Sequence, residues 1–259
     1  MTSYLMEDAR EAARLVGKVE APEWIRNYCT AWLDGPQQIL DLGAGPGVLA
    51  QALAAFFPGA RIVATDLQVR RFDPELPGRI HANAARAEEL PFADGSFDAV
   101  FSRLLFQFLP DPAACMREIA RVLRPGGRAL VQDLDGQLVW HDGMDPELEH
   151  DCEVVRAALV ATGFDPFVGR RLRRLGIAAG LVCDRVLVQP YHLIAGTISR
   201  VEDALWLQKL QIAAPRIAAA LGSPAAGESF IDRYMAHLRS PATLTYSMLF
   251  SCYLRVTDG

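Results

Sequence analysis

The apolar positions of this chain change rhythm twice. At the start, Leu5, Met6, Ala9, Ala12, Ala13 and Val16 recur at helical spacing and predict a helix. Pro22 suits the first turn of a second helix, which takes in Trp24, Ile25, Tyr28 and Trp32 and ends at Gly35-Pro36. From there short apolar runs alternate with helical ones. "QQILDL", "ARIVATD", "GRIHANA", "SFDAVFS" and "GGRALVQDLD" read as strands, and "VLAQALAAFF" and "DPAACMREIARVL" as helices between them. Such alternation implies right-handed βαβ units and a parallel sheet with helices on both faces. The uninterrupted runs Ile39–Leu42 and Ile62–Ala64 suit strands buried on both sides.

Beyond Gly136 the rhythm loosens. "DPELEHDCEVVRAALVATG" predicts a helix with Asp145 as N-cap and Pro146 behind it. "GRRLRRLGIAAG" predicts another helix, with its arginines on a solvated face, and "DRVLVQPYHLI" a strand. Ser199 and Glu202 form a capping box ahead of the helical run Val201–Ala214, which Pro215 is expected to kink or split. "ESFIDRYMAHLRS" is one more helix. In the final stretch Leu244, Tyr246, Met248, Phe250, Cys252 and Leu254 alternate with Thr245, Ser247, Leu249, Ser251 and Tyr253. That period of two predicts a long strand, antiparallel, at or near a sheet edge. The chain thus divides into an N-terminal helical lid (1–36), a ligand-binding core (37–135), and a completion of the sheet (136–259) with helical insertions at about 137–165 and 197–241.

Bulk composition narrows the function. With 51% hydrophobic and 22% charged residues in 259, the chain can build a large α/β core. A net charge of −5 argues against nucleic acid as the partner. The five cysteines are scattered without CxxC spacing, which argues against zinc and for reduced, buried thiols. No signal peptide and no apolar run of membrane-spanning length is evident, so a cytoplasmic protein with no membrane partner is expected. Its oligomeric state is not readable.

The chemistry starts at "ILDLGAGPG". A strand ends there and three glycines, Gly43, Gly45 and Gly47, follow at alternate positions. Glycines between a strand and a helix mark the place where α/β sheets bind ligands. The dinucleotide pattern G-x-G-x-x-G fails at Val48, and no Lys-Ser or Lys-Thr follows to make a phosphate loop. Asp66, at the tip of the next strand, can accept both ribose hydroxyls of an adenosine. Together these features point to an adenosine-bearing ligand.

These residues carry a resemblance. "ILDLGAGPG", Asp66, "ARAEELPFADGSFDAVFSRLL" and "EIARVLRPGGRALVQD" resemble, in order and spacing, the motifs of class I S-adenosylmethionine-dependent methyltransferases. "SYLMEDAREAARL" and "GFDPFVGRRL" are similar to a bacterial small-molecule subgroup near the quinone-biosynthesis-type enzymes. The resemblance implies a Rossmann-like, seven-stranded, mostly parallel sheet with an antiparallel last strand. It implies S-adenosylmethionine as cofactor, S-adenosylhomocysteine as product, and a small-molecule substrate. Residue by residue, it implies Gly43, Ala44 and Gly45 under the methionine part, with Asp41 shaping that pocket. Asp66 would hold the ribose, Leu67 would pack on the adenine, and Ala87 and Glu88 would lie at the adenine edge. Ser102 and Arg103 would border the sulfonium, and Tyr4 and Glu7 would belong to a lid. Arg86 departs from the pattern, because the family often has an acidic residue there and a guanidinium accepts no hydrogen bond.

Methyl transfer needs a base only where the acceptor must lose a proton. After the fifth strand, His141 is a candidate general base. Asp133 and Asp135, on one face of the strand, are candidates for binding a cationic substrate; no third ligand accompanies them to make a metal site. Tyr191-His192, at the end of the sixth strand, is a candidate for lining the pocket, with Tyr191 as the candidate substrate contact. The reading is a methyltransferase for a small, partly apolar molecule, plausibly in specialised metabolism. Two alternatives stay open: a non-methylating enzyme that binds the same sulfonium, and a non-catalytic binding protein.

Overall fold

A computed structural model describes residues 21–29, 32–68 and 78–257. The first predicted helix, with Tyr4 and Glu7, lies outside the described residues. The strands are β1 (Gln38–Leu42), β2 (Arg61–Asp66), β3 (Ile80–Ala84), β4 (Phe97–Arg103), β5 (Leu123–Asp142), β6 (Val182–Ala195) and β7 (Leu244–Arg255). They form one seven-stranded sheet in the order β3-β2-β1-β4-β5-β7-β6. Pairings from β3 across to β5 are parallel, and β7 runs antiparallel to both β5 and β6. The last strand is therefore antiparallel and one place in from the edge. The helices are α1 (Ala21–Tyr28), α2 (Val48–Phe56), α3 (Pro112–Val122), α4 (Pro146–Ala161), α5 (Leu172–Ala178), α6 (Arg200–Leu221) and α7 (Pro224–Arg239).

The continuous apolar runs serve two faces at once. Along β1, Ile39 packs with Trp24, Ile25, Leu49 and Leu53 of α1 and α2. Its neighbour Leu40 packs on the other face with Met116 and Ile119 of α3 and Leu172 of α5. A third apolar cluster is separate from both. It joins Leu148, Cys152 and Val155 of α4 to Trp206, Leu210 and Ile217 of α6 and Phe230 and Tyr234 of α7. Caps start these helices where the sequence places them. Asp145 accepts from the backbone N–H groups of Glu147 and Leu148, and Ser199 and Glu202 make the reciprocal capping box.

Four elements depart from expectation. The helix opened by Pro22 stops at Tyr28, short of Trp32. Helix α6 runs unbroken through Pro215 to Leu221. Pro215 and Gln211, whose carbonyl the proline leaves without its amide, both lie on the exposed side, where water can take the free acceptor. The arginine-rich helix starts as a 3-10 turn at Gly169–Arg171, and its first arginines are not simply solvated: Arg170 holds Asp135 and Arg171 holds Asp165. Finally, β5 continues to Asp142 across a register shift between Asp135 and Trp140.

That shift depends on Gly136. Its φ of 78° is left-handed, and a Cβ added there would lie 2.0 Å from Nε1 of Trp140. Gly136→Ala is expected to cost at least about 2 kcal/mol, from strain and displaced indole together. Urea unfolding followed by tryptophan fluorescence measures it; an unchanged midpoint would show that the loop-out tolerates a side chain.

Candidate functional site

The glycine loop is shaped by its ties to β2. Gly43, Gly45 and Gly47 all have left-handed φ, at 75°, 55° and 83°. The N–H groups of Gly43 and Ala44 both donate to the carbonyl of Thr65, at 2.8 and 2.9 Å. The Gly45 N–H donates to Oδ2 of Asp66 at 3.0 Å, and the Gln68 N–H to its Oδ1 at 3.0 Å. A Cβ on Gly43 would come within 2.9 Å of the Leu105 methyls, so this corner admits only glycine. Below the loop, Asp41 is 2% exposed, and its Oδ2 has no hydrogen-bond partner. Burial pushes its carboxyl up to about 7, against a backbone hydrogen bond involving Ala50 and with help from the charge of Asp66.

Above these strand ends lies a cavity of about 470 Å³. One wall is Asp41, Gly43, Ala44, Gly45 and Asp66; the floor includes Arg103, Leu105 and Gln107. The opposite wall is supplied by the third cluster, through Val155 and Leu159 of α4, Trp206, Leu210 and Ile217 of α6, and Phe230 of α7. Lys209 lies there too, its Nζ 4.6 Å from the centre of the Trp206 ring. Among the described residues, the non-glycines with left-handed φ are Leu104, Leu138 and His192, and all three line this cavity. Backbone strain of this kind gathers at functional sites.

Two of the three owe their position to breaks in the ladder. On one side of β7, β5 shifts register between Asp135 and Trp140, turning Gln137 and Leu138 toward the cavity. On the other side, β6 shifts between Tyr191 and Ile194, and His192 sits in the shift with φ 53°. Both shifts fall opposite the same part of β7, around Tyr246 and Ser247. Register shifts re-aim side chains in this way. The His192 ring stands 5.2 Å from Trp206, with Nδ1 3.2 Å from the Ser247 hydroxyl.

Of the residues singled out in the sequence, Asp41, Gly43, Ala44, Gly45, Asp66 and Arg103 come together on the cavity wall. Leu67 stands 62% exposed just past β2, and Ala87 and Glu88 lie beyond the end of β3; none of the three is on the wall. Ser102 is buried behind the wall with its hydroxyl unpartnered. Tyr191 lines a smaller neighbouring cavity with Tyr28 and Gln189, and its hydroxyl takes a hydrogen bond from Nη2 of Arg103 at 3.1 Å.

The structure turns the two strand aspartates away from the substrate-binding role. Asp135 is 2% exposed and clamped by the Arg170 guanidinium and backbone N–H. Asp133 is fully buried and accepts the backbone N–H groups of Gln107 and Leu134. Neither reaches the wall, and among the described residues no group of His, Cys, Asp and Glu could hold a metal ion. Of the pair Tyr191-His192 that the sequence offers for the pocket, His192 lines this cavity and Tyr191 the smaller one beside it, a division that nothing in "QPYHLI" announces.

Comparison with known proteins agrees with this geometry. Residues 40–131 match the family model described as a methyltransferase domain. The chain is 40% identical over 122 residues to malonyl-[acyl-carrier protein] O-methyltransferase of Hahella chejuensis, covering 42% of this chain and 43% of that protein. It is 41% identical over 109 residues to a demethylmenaquinone methyltransferase of Mycobacterium sp. (strain KMS), covering 42% and 46%. The chain thus spans less than half the length of these two curated relatives. Among solved structures, it shares its fold with phosphoethanolamine N-methyltransferase 2 of Haemonchus contortus, in complex with phosphomonomethylethanolamine and S-adenosylhomocysteine. There the TM-score is 0.58 at 17% identity, covering 96% of this chain and 57% of that one.

His141 is placed away from the cavity. It sits in a buried polar cluster beneath α7, with Nδ1 3.0 Å from the Thr245 hydroxyl and its ring edge-on to Tyr234 and His237. His237 reaches the hydroxyls of Thr243 and Thr245. Burial pulls His141 down to about 4, reinforced by the charges of His237 and Arg156. A histidine depressed in the folded state stabilises fully above its ordinary value of 6.5, and that contribution is lost as pH falls toward 4. His141→Gln is therefore expected to flatten the acid side of the stability profile, by on the order of 2 kcal/mol. Urea midpoints across that window check it; parallel profiles for the variant and the parent would show that His141 does not drive acid unfolding.

Proposed function

We propose that this chain, whose residues 40–131 match a methyltransferase domain, is a class I S-adenosylmethionine-dependent methyltransferase that methylates a small, partly apolar molecule. One observation carries the proposal: a single cavity joins the glycine loop and Asp66 to the apolar wall of α4, α6 and α7. The residues fit the cofactor. Asp66 projects a carboxylate at the tip of β2, where a ribose would lie, and the loop amide of Gly45 already orients it. The unpartnered Oδ2 of Asp41 suits the positive charge of the methionine part, which Gly43, Ala44 and Gly45 would support from below. In this reading Leu67, Ala87 and Glu88 would serve the adenine and Arg103 would border the sulfonium, with Ser102 buried behind the wall.

When bound, S-adenosylmethionine supplies an electrophilic methyl group and leaves as S-adenosylhomocysteine. The chain's own contribution is alignment and exclusion of water by the apolar wall, an effect worth on the order of 7–11 kcal/mol in well-oriented systems. In this reading residues 136–259 complete the sheet and cap the substrate side, whereas Trp24 and Ile25 of α1, from the segment expected to form a lid, pack into the core against β1 and α2. The unpaired state of all five cysteines supports a cytoplasmic setting, and no described helix is long and apolar enough to cross a membrane.

Calorimetry with S-adenosylmethionine and S-adenosylhomocysteine tests the proposal. Binding of both is expected, weakened about tenfold or more by Asp66→Asn, which removes the negative charge at the ribose site. No heat of binding at millimolar ligand would rule out the methyltransferase reading.

A further inference from the structure

Resting on the methyl-transfer reading above, we propose that Asp133 is the positioning residue of the cofactor site: its carboxylate fixes the turn that floors the cavity, so that the protein with Asp133 ionised binds S-adenosylmethionine and S-adenosylhomocysteine more tightly than the protein with Asp133 protonated. Asp133 acts through the backbone of that turn, since it does not itself reach the cavity wall.

The turn follows β4, and its residues Arg103, Leu104, Leu105 and Gln107 all line the cavity. The chain passes through Leu104, whose φ of 57° is left-handed, and enters a 3-10 turn at Phe106–Phe108. A leucine in that conformation persists only where its surroundings hold it. Strand β5 supplies the hold. The Leu104 N–H donates to the carbonyl of Gln132 at 2.9 Å, and the Gln107 N–H donates to Oδ2 of Asp133 at 3.1 Å. The backbone N–H of Phe106 also supports the carboxylate. Oδ1 takes the N–H of Leu134 at 2.7 Å, which fixes the side chain to its own strand. From the other side, the Gln107 carbonyl accepts the Asp165 N–H at 2.9 Å.

Leu105 carries the position of the turn to the glycine loop. Its methyls fill the space that a Cβ on Gly43 would take, 2.9 Å away. Close-packed groups of this kind move together. A floor that shifts therefore withdraws the backing from Gly43, beside the loop amides that face the cofactor.

The charge of Asp133 decides how firmly the turn is held. Hydrogen bonds to a carboxylate are roughly twice as strong as those between neutral groups. A protonated carboxyl turns one oxygen into a donor, which cannot serve the N–H groups that face it. Asp133 is fully buried, and burial pushes it up to about 7, against the N–H groups of Leu134, Gln107 and Phe106 and the charge of Arg103. The neighbouring carboxylates are engaged elsewhere, Asp135 by Arg170 and Asp165 by Arg171. Phe250, opposite on β7, and Gly169, packed against the Asp133 carbonyl, carry no charge. Asp133 thus changes its charge around neutral pH, and the floor loosens on the acid side.

Calorimetric titration with S-adenosylhomocysteine at about pH 8.5 and about pH 5.5, in the parent and in Asp133→Asn, tests the proposal. At the higher pH the variant is expected to bind about tenfold more weakly. At the lower pH the two dissociation constants are expected to agree within about twofold, because the protonated parent then resembles the variant. The titration of Asp41 is common to both proteins and cancels in the ratio. A merely structural Asp133 would give a ratio that does not change with pH. A second measurement needs no variant. The amide proton of Gln107, followed by NMR in the parent, is expected to shift with a midpoint at about 7. Saturation with S-adenosylhomocysteine is expected to lower that midpoint by about one pH unit, which is the same tenfold preference read from the other side. A ratio independent of pH, equal affinities at about pH 8.5, or a midpoint that the ligand leaves in place would each overturn the proposal. If the parent binds no S-adenosylhomocysteine at millimolar concentration at either pH, the methyl-transfer reading itself fails, and that outcome is separate from the others.

Discussion

β1 and β4 lie side by side and parallel, but the chain leaves them in opposite directions, from β1 toward β2 and from β4 toward β5. Backbone therefore diverges above their C-terminal ends, and a crevice opens that neither connection fills. The rest of the site follows from that divergence. Gly43, lacking a Cβ, can turn sharply and lets Leu105, on the connection after β4, close against it from across the crevice. Asp66 at the end of β2 reaches back to Gly45, and Arg103 at the end of β4 reaches sideways to Tyr191 on β6. Residues from β1, β2, β4 and β6 converge on one cavity because the parallel strands among them present their C-terminal ends to the same side.

A crevice alone would bind a cofactor in water. The segments after Gly136 turn it into a chamber. Helices α4, α6 and α7 have their own apolar cluster, so they form a cap with internal cohesion, independent of a ligand. The cap meets the sheet where β5 and β6 both lose register against β7. There the chain tolerates left-handed backbone at Leu138 and His192, each costing on the order of 1–3 kcal/mol, and gains side chains aimed into the cavity. Strand β7 supports both sides. Its Thr245, Ser247 and Ser251 are buried and serve His141, His192 and Gln132 in turn. Gln132 in turn accepts from the Trp24 indole at 2.6 Å, which ties α1 into the same buried polar set.

The parallel half of the sheet was legible because its signals are local. Continuous apolar runs in β1 and β2, proline at helix starts and Asp145 and Ser199 at caps each act within a few residues. The glycine loop and Asp66 were legible for the same reason: a tight turn next to a strand end leaves its mark in residue type. The alternation of β7 predicted a strand correctly, but the polar residues of that alternation are the more buried ones over its first half. They are buried because histidine and glutamine partners on neighbouring strands need them, and a partner across a sheet leaves no trace in spacing.

The sequence by itself determined the fold class, the strand–loop–helix unit with its left-handed glycines, and the acidic tip of β2, since backbone sterics and short-range burial dictate these. The tertiary structure decided which polar residues face the cavity. His141 and His192 look alike in the sequence, each near a strand end beside an aromatic residue. A register shift of one strand against another sends His192 to the wall, while His141 is buried beneath α7. Asp135 looked free until Arg170, 35 residues away, was brought against it. Register and long-range ion pairing are set by the packing of whole elements, and only the assembled sheet and its cap decide them.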